Sequence, residues 1–172
     1  PTSKLLAVGV KVRYNMVGHI LYDKPGSHQA AYSVYDPQEN RWTSWRMLDL
    51  TTNDSRFYLV APGNTQWLVK PDGTLLIPTH FSEVQNKGQY KTAVFHCAFD
   101  GTTLKYLGHG NELTIETGRG LYESSLVHFH GRYYLTLRSD HSAHVAVSED
   151  GLHFQPIMPW TFDDGLELGS HN

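Results

Sequence analysis

Cysteine is nearly absent: Cys97 stands alone in a chain of 172 residues. One thiol closes no internal disulfide, so it says little about redox compartment. In the strand-like run 93–99 it reads as a small buried hydrophobe. Excess positive charge is missing too. The formal net charge is −3 and the isoelectric point about 6.4, which offers no basic footprint for nucleic acid and no polybasic patch for acidic lipid. No apolar run approaches the ~18 residues of a membrane-spanning helix. Residues 1–12 lack the long apolar core and cleavage site of a secretory leader. A sustained 3.6-residue apolar period is absent throughout, so almost no helix is expected. The histidines show no HExxH spacing, and no serine sits in a nucleophile elbow. Gly108-His109-Gly110 and Gly118-Arg119-Gly120 lack the strand and helix that frame a phosphate loop. No cofactor and no metal site is expected.

What the chain does have is aromatic side chains and turns. Four Trp, ten Tyr, seven Phe and eleven His suit ordinary sheet packing and also a sugar-binding surface. Short alternating or apolar runs recur between Gly, Asp, Pro and Asn turns, the pattern of antiparallel strands. Strands are expected at residues 4–14, 18–23, 29–35 and 41–48. A second set is expected at 57–61, 66–69, 74–78 with continuation to Phe81, 91–99 and 104–107. A third falls at 126–129, 132–138, 143–148 and 156–162. Gly18, Gly73 and Gly131 close inner hairpins at spacings of 55 and 58 residues, and Asp36, Asp100 and Asp150 each open the turn after a later strand. A β-sandwich also has regular short strands, but it does not need matched turns. Matched turns with about four strands per repeat of roughly 50 residues point to an all-β chain, a β-propeller of four-stranded antiparallel blades. About three blades are expected, at 1–50, 51–110 and 111–172, in one partial domain spanning 1–172. Closed propellers use about 4–8 blades, so the ring is incomplete. Its remaining blades are expected from further sequence or from a second copy.

The third unit carries charge at its strand ends. Glu123 precedes an apolar strand and Arg138 ends an alternating one, where a scaffold can hold both beside a pocket. The run Glu123-Ser-Ser-Leu-Val-His-Phe-His-Gly-Arg-Tyr-Tyr-Leu-Thr-Leu-Arg138-Ser-Asp140 resembles the sialidase-like superfamily, the Asp-box or BNR propellers. There a Glu before the inner strand is followed by a Gly turn and by a second strand that ends in Arg. Ser148-Glu-Asp150-Gly151-Leu-His-Phe154 is similar to an Asp-box with one residue fewer between Asp and Gly and Phe in place of the more usual Trp. Lys70-Pro-Asp72-Gly73-Thr-Leu-Leu-Ile-Pro78 is similar to the inner hairpin of another blade. The resemblance covers most of the chain as a fold and is specific over residues 119–154.

It implies hydrolysis of a terminal sugar, with Glu123 orienting a tyrosine nucleophile and Arg138 gripping a substrate carboxylate. It also implies an extracellular or periplasmic setting. The chemistry agrees in kind: arginine offers a rigid bidentate fork for a carboxylate, and a phenol with a pKa of ~10 needs a neighbouring base. At the place of Arg138, seven residues after the turn glycine, the second unit has His80 and the first has Pro25. With no second or third arginine in register, uronic acids and neutral sugars stay open beside sialic acid.

The catalytic candidates are therefore Glu123, Arg138 and His80. Candidates for binding substrate are Arg119, on its glycine-flanked loop, and Gln66 with Trp67, which open an inner strand. Asp140 and Asp23 join them as the strand-end carboxylates left to serve as general acids. His28 and His171 are weaker candidates. Plainer readings exist: Arg138 followed by Asp140 reads as a structural ion pair, and His80 as a satisfied strand-end histidine. Two other functions fit the same residues. A polysaccharide lyase would use His and Tyr to remove a proton beside a uronate carboxylate that Arg neutralises. A non-catalytic carbohydrate-binding propeller would rely on aromatics such as Trp67 and Tyr122. All three take a carbohydrate partner, and none takes nucleic acid or a membrane.

Overall fold

Antiparallel pairing organises the chain into three sheets in the computed structural model, which describes residues 4–21, 26–50, 55–62 and 66–169. The first sheet holds β1 (Leu5–Val12) and β2 (His28–Asp36), with two short pieces, β3 (Arg41–Trp42) and β4 (Arg46–Met47), both paired with β2. In the second, β5 (Leu59–Pro62) and β6 (Leu68–Val69) lie end to end along β7 (Leu75–Ser82), followed by β8 (Lys91–Phe99) and β9 (Leu104–His109). The third runs in simple order through β10 (Tyr122–Phe129), β11 (Arg132–Arg138), β12 (Ala143–Ser148) and β13 (Met158–Pro159). Among the described residues the only helical turn is a 3₁₀ piece at Ser55–Phe57. The chain is all-β, a partial β-propeller of stacked antiparallel sheets.

Residue parity along β7 explains the stacking. Leu75, Ile77 and Phe81 point one way, into a core shared with Ala30, Tyr32 and Val34 of β2 and Phe95 of β8. Leu76 points the other way and joins Val94, Leu126, Leu135, Leu137 and Ala146 in a second core against the third sheet. A strand buried on both faces reads as a continuous apolar run, and Leu75-Leu76-Ile77-Pro78 is one. The same parity turns His80 towards the third sheet.

The inner hairpins match in the second and third sheets. Gly73 (φ 84°) joins β6 to β7 and Gly131 (φ 76°) joins β10 to β11, conformations that glycine adopts without a Cβ clash. The first sheet departs from expectation. Residues 18–21 form no ladder strand. They make a local excursion with one bridge, Tyr14 to Ile20, in which the Asn15 side chain accepts the N–H groups of Val17 and His19. β1 instead pairs directly with β2, from Leu5–Tyr35 to Val12–His28. It therefore holds the place of β7 and β11, each of which also pairs with the strand leading into an Asp turn. Gly18 is not the counterpart of Gly73 and Gly131. The strand end that corresponds to Arg138 lies at Val12–Arg13 rather than at Pro25, a position outside the described residues. The expected outer strands at 41–48 and 156–162 shrink to the short pieces β3, β4 and β13, and β10 begins earlier, at Tyr122.

The turns sort to one end. Asp36 accepts the N–H of Gln38, Asp100 those of Thr102 and Thr103, and Asp150 those of Leu152 and His153. At the opposite end each sheet closes with the pairs Val12–His28, Phe81–Lys91 and Arg138–Ala143.

Candidate active site

A β-bulge builds the centre of that opposite end. Tyr122 pairs with Arg138, but the next pair is Ser125 with Thr136, so β10 carries one extra residue there. Glu123 takes φ 47°, a left-handed conformation that costs a non-glycine residue roughly 1–2 kcal/mol. Bulges of this kind re-aim a side chain. Here the Glu123 carboxylate forms an ion pair with the Arg138 guanidinium on the neighbouring strand. The Glu123 N–H turns away from the ladder and donates to Nδ1 of His80, 3.3 Å away on β7. His80 packs edge-on against Tyr90 and Tyr122, with ring centroids 5.2 and 6.3 Å apart. Burial pushes its imidazole down to about 4, against the opposing pull of the Glu123 carboxylate; His28 of the first sheet adds to the lowering. All three sheets thus reach this end.

A second network leans on the first. Asp140 accepts from the backbone N–H of Arg119 (2.8 Å), from Arg119 Nε (2.8 Å) and from the Tyr122 hydroxyl (2.8 Å), with Arg119 Nη2 2.7 Å from the same oxygen. Arg119 Nη2 also donates to the Tyr122 oxygen at 2.8 Å. The glycines beside Arg119 make room for this. A Cβ on Gly118 would lie 2.6 Å from an Asp140 oxygen, and one on Gly120 would lie 2.1 Å from the Tyr90 carbonyl oxygen. The Arg119 and Tyr122 side-chain bonds and the Arg119 N–H hold the Asp140 carboxyl far below the usual carboxylate range. Burial, and then the bond to Asp140, raise the Tyr122 phenol above its ordinary value. The guanidiniums of Arg119 and Arg138 sit 4.6 and 5.2 Å from the Tyr122 ring centroid.

The structure therefore brings together five of the expected residues: Glu123, Arg138, His80, Arg119 and Asp140. The simple Arg138–Asp140 pair is not formed; the partners are exchanged, Arg138 with Glu123 and Arg119 with Asp140. The donors gathered on the Asp140 carboxylate favour its ionised form, which weighs against a role as general acid. Gln66 and Trp67 lie elsewhere. Trp67 packs on the first core, and the Gln66 carbonyl accepts the Leu126 N–H further down β10. Asp23 and His171 fall outside the described residues. The sequence reading missed Tyr90, which sits at the head of β8. It also missed Lys91, whose ammonium bridges Glu83 (2.6 Å) and Glu112 (3.1 Å) next door. Adjacency to the paired strand end was the available signal for both. Lys91 also borders an open polar groove of about 590 Å³, together with residues 85–89 and 114–116.

No protein-family model matches this chain, and no curated protein does. Solved structures do. A Hadza microbial sialidase superposes with a TM-score of 0.61 at 14% identity, over 88% of this chain and 30% of that one. A Trypanosoma rangeli sialidase gives 0.58 at 16% identity, over 87% of this chain and 25% of that one. The same sialidase in complex with sialic acid gives 0.59 at 16% identity, over 90% and 26%. At these identities the likeness establishes the fold: a sialidase-type β-propeller. The chain spans about a quarter to three-tenths of the length of these sialidases.

Proposed function

We propose that the protein carrying this chain is a sialidase-like glycoside hydrolase acting on a terminal, acidic sugar, with this end of the three sheets as one wall of its pocket. One observation carries the reading. A carboxylate and a guanidinium, Glu123 and Arg138, pair at the end of the β10–β11 hairpin, held by a strained bulge. Strain of that kind clusters at functional sites. Arg138 would receive the substrate carboxylate, and Glu123 would take the phenolic proton as a tyrosine attacks the anomeric carbon. Tyr122 is not that tyrosine, because its raised phenol and its bond to Asp140 oppose ionisation. We assign the nucleophile, the proton donor and the rest of the ring to blades beyond this chain, and keep the blade limits 1–50, 51–110 and 111–172 as part of the proposal.

The lyase reading is weaker. It needs a histidine that accepts a proton near neutral pH, and His80 is buried with Nδ1 already used. The test is turnover of fluorogenic sialosides, uronides and neutral glycosides. Wild type is expected to release fluorophore from an acidic glycoside. Glu123→Gln is expected to lose turnover by a factor on the order of 10²–10⁴, and Arg138→Ala by about 10²–10³, with melting curves unchanged in shape. Full turnover by both variants would end the reading, and an unsaturated, ultraviolet-absorbing product would replace it with a lyase.

A further inference from the structure

Every hydrogen bond that fixes Glu123 has to cope with its φ of 47°. The bulge takes Glu123 out of the regular ladder, since the pairing jumps from Tyr122–Arg138 to Ser125–Thr136. The acceptor of its N–H is an imidazole nitrogen from the neighbouring sheet, Nδ1 of His80 at 3.3 Å. A backbone N–H can only donate, so Nδ1 must be bare and the ring proton of the neutral imidazole sits on Nε2. His80 cannot drift, because its ring is wedged against Tyr90 and Tyr122 and its strand is buried on both faces.

We infer that His80 is a positioning residue: by accepting the Glu123 N–H in its neutral, Nε2-protonated form, it latches the bulge that aims the Glu123 carboxylate at Arg138. The catalytic consequence rests on the hydrolase reading above; the latch itself does not. A second proton would have to enter at Nδ1, placing two donors face to face and releasing the bulge. The groups that face His80 set when this happens. Glu123 of β10 favours the proton, His28 of β2 opposes it, and Tyr90 and Tyr122 are neutral walls. Arg138 stands behind Glu123, paired with its carboxylate. Burial dominates, and the ring stays neutral down to about pH 4.

The test follows the Glu123 amide and the His80 ring by nitrogen-resolved NMR in the protein carrying this chain, with His80→Leu and His80→Asn beside wild type. Asparagine offers an oxygen close to where Nδ1 stands, and leucine offers no acceptor. Wild type is expected to show the Nε2–H tautomer, with protection of the Glu123 amide falling as pH passes below about 4. His80→Leu should lose that protection by roughly 3–10-fold at neutral pH. His80→Asn should restore it and abolish its pH dependence. Turnover should track the amide, with kcat down by up to about 100-fold in His80→Leu and recovered in His80→Asn. An Nδ1–H tautomer in wild type would overturn the latch, even if His80→Leu fails to fold. So would a Glu123 amide equally protected in His80→Leu. Should no glycoside be turned over by any variant, the hydrolase reading falls, and the tautomer and amide readouts still decide the latch.

Discussion

The two ends of the stacked sheets use the same polar side chains in opposite ways. At the turn end each aspartate spends its carboxylate on N–H groups two or three residues away, as Asp36, Asp72, Asp100 and Asp150 all do. At the other end the partners are 15 residues apart for Arg138 and Glu123, 21 for Arg119 and Asp140, and 43 for Glu123 and His80. Turn contacts of the first kind form with the turn itself. Of the second kind, the Arg138–Glu123 and Arg119–Asp140 contacts need the strands of the third sheet to pair, and the Glu123–His80 contact exists only once the second and third sheets have stacked. One end therefore shapes single turns, and the other ties strands together and, through His80, records how two blades meet.

Glycine substitutions give the sharpest contrast in stability. Gly120→Ala puts a Cβ 2.1 Å from the Tyr90 carbonyl at φ 78°, so both a backbone clash and strain oppose it. A loss of more than about 3 kcal/mol is expected. Gly73→Ala, at φ 84° with nothing within 4 Å, meets strain alone and should cost about 1 kcal/mol. Denaturant midpoints at constant slope would show the difference. Equal losses would mean that the two ends are not held differently.

Acid should separate the ends by a smaller margin. His80 is lowered from 6.5 to about 4 in the fold. The unfolded chain therefore takes up the proton first, and stability present above pH 6.5 is lost as pH falls towards 4. Asp100 is lowered from 3.8 to about 2 by the Thr102 side chain and the N–H groups of Thr103 and Thr102. Its contribution is intact above pH 3.8 and disappears as pH falls to 2. His80→Asn should flatten the upper window and Asp100→Asn the lower, each only in part, because His28 and His144 shift with the first, and Asp36, Asp72, Asp150 and, from the site end, Asp140 with the second. Unfolding midpoints measured across both windows would check this. A single shared window would erase the distinction.

The same contrast explains what the sequence disclosed. Turn chemistry is local, so Gly73, Gly131, Asp100 and Asp150 marked their hairpins correctly, and β8, β11 and β12 match the expected runs residue for residue. Gly18 misled because an Asn15-capped excursion mimics a hairpin turn without feeding a paired strand. Within the site, Glu123 and Arg138 were legible as charges at strand ends. Their pairing was not, since it depends on a bulge that no residue spacing announces. Arg119 was legible as an exposed basic loop residue, but its hold on Asp140 needs two glycines to clear space against elements far along the chain. Trp67 fits sugar stacking and core packing equally well by type, and only the stacking of the sheets decides for the core.

In the proposed function, Arg138 presents its guanidinium to an acidic sugar at the end where the sheets converge. Calorimetric titration of free sialic acid and of its methyl ester into wild type and Arg138→Ala tests it most directly. Arg138→Ala is expected to weaken binding of the acid by roughly 10–100-fold and to leave the ester unaffected. Equal affinity of both proteins for the acid would contradict it.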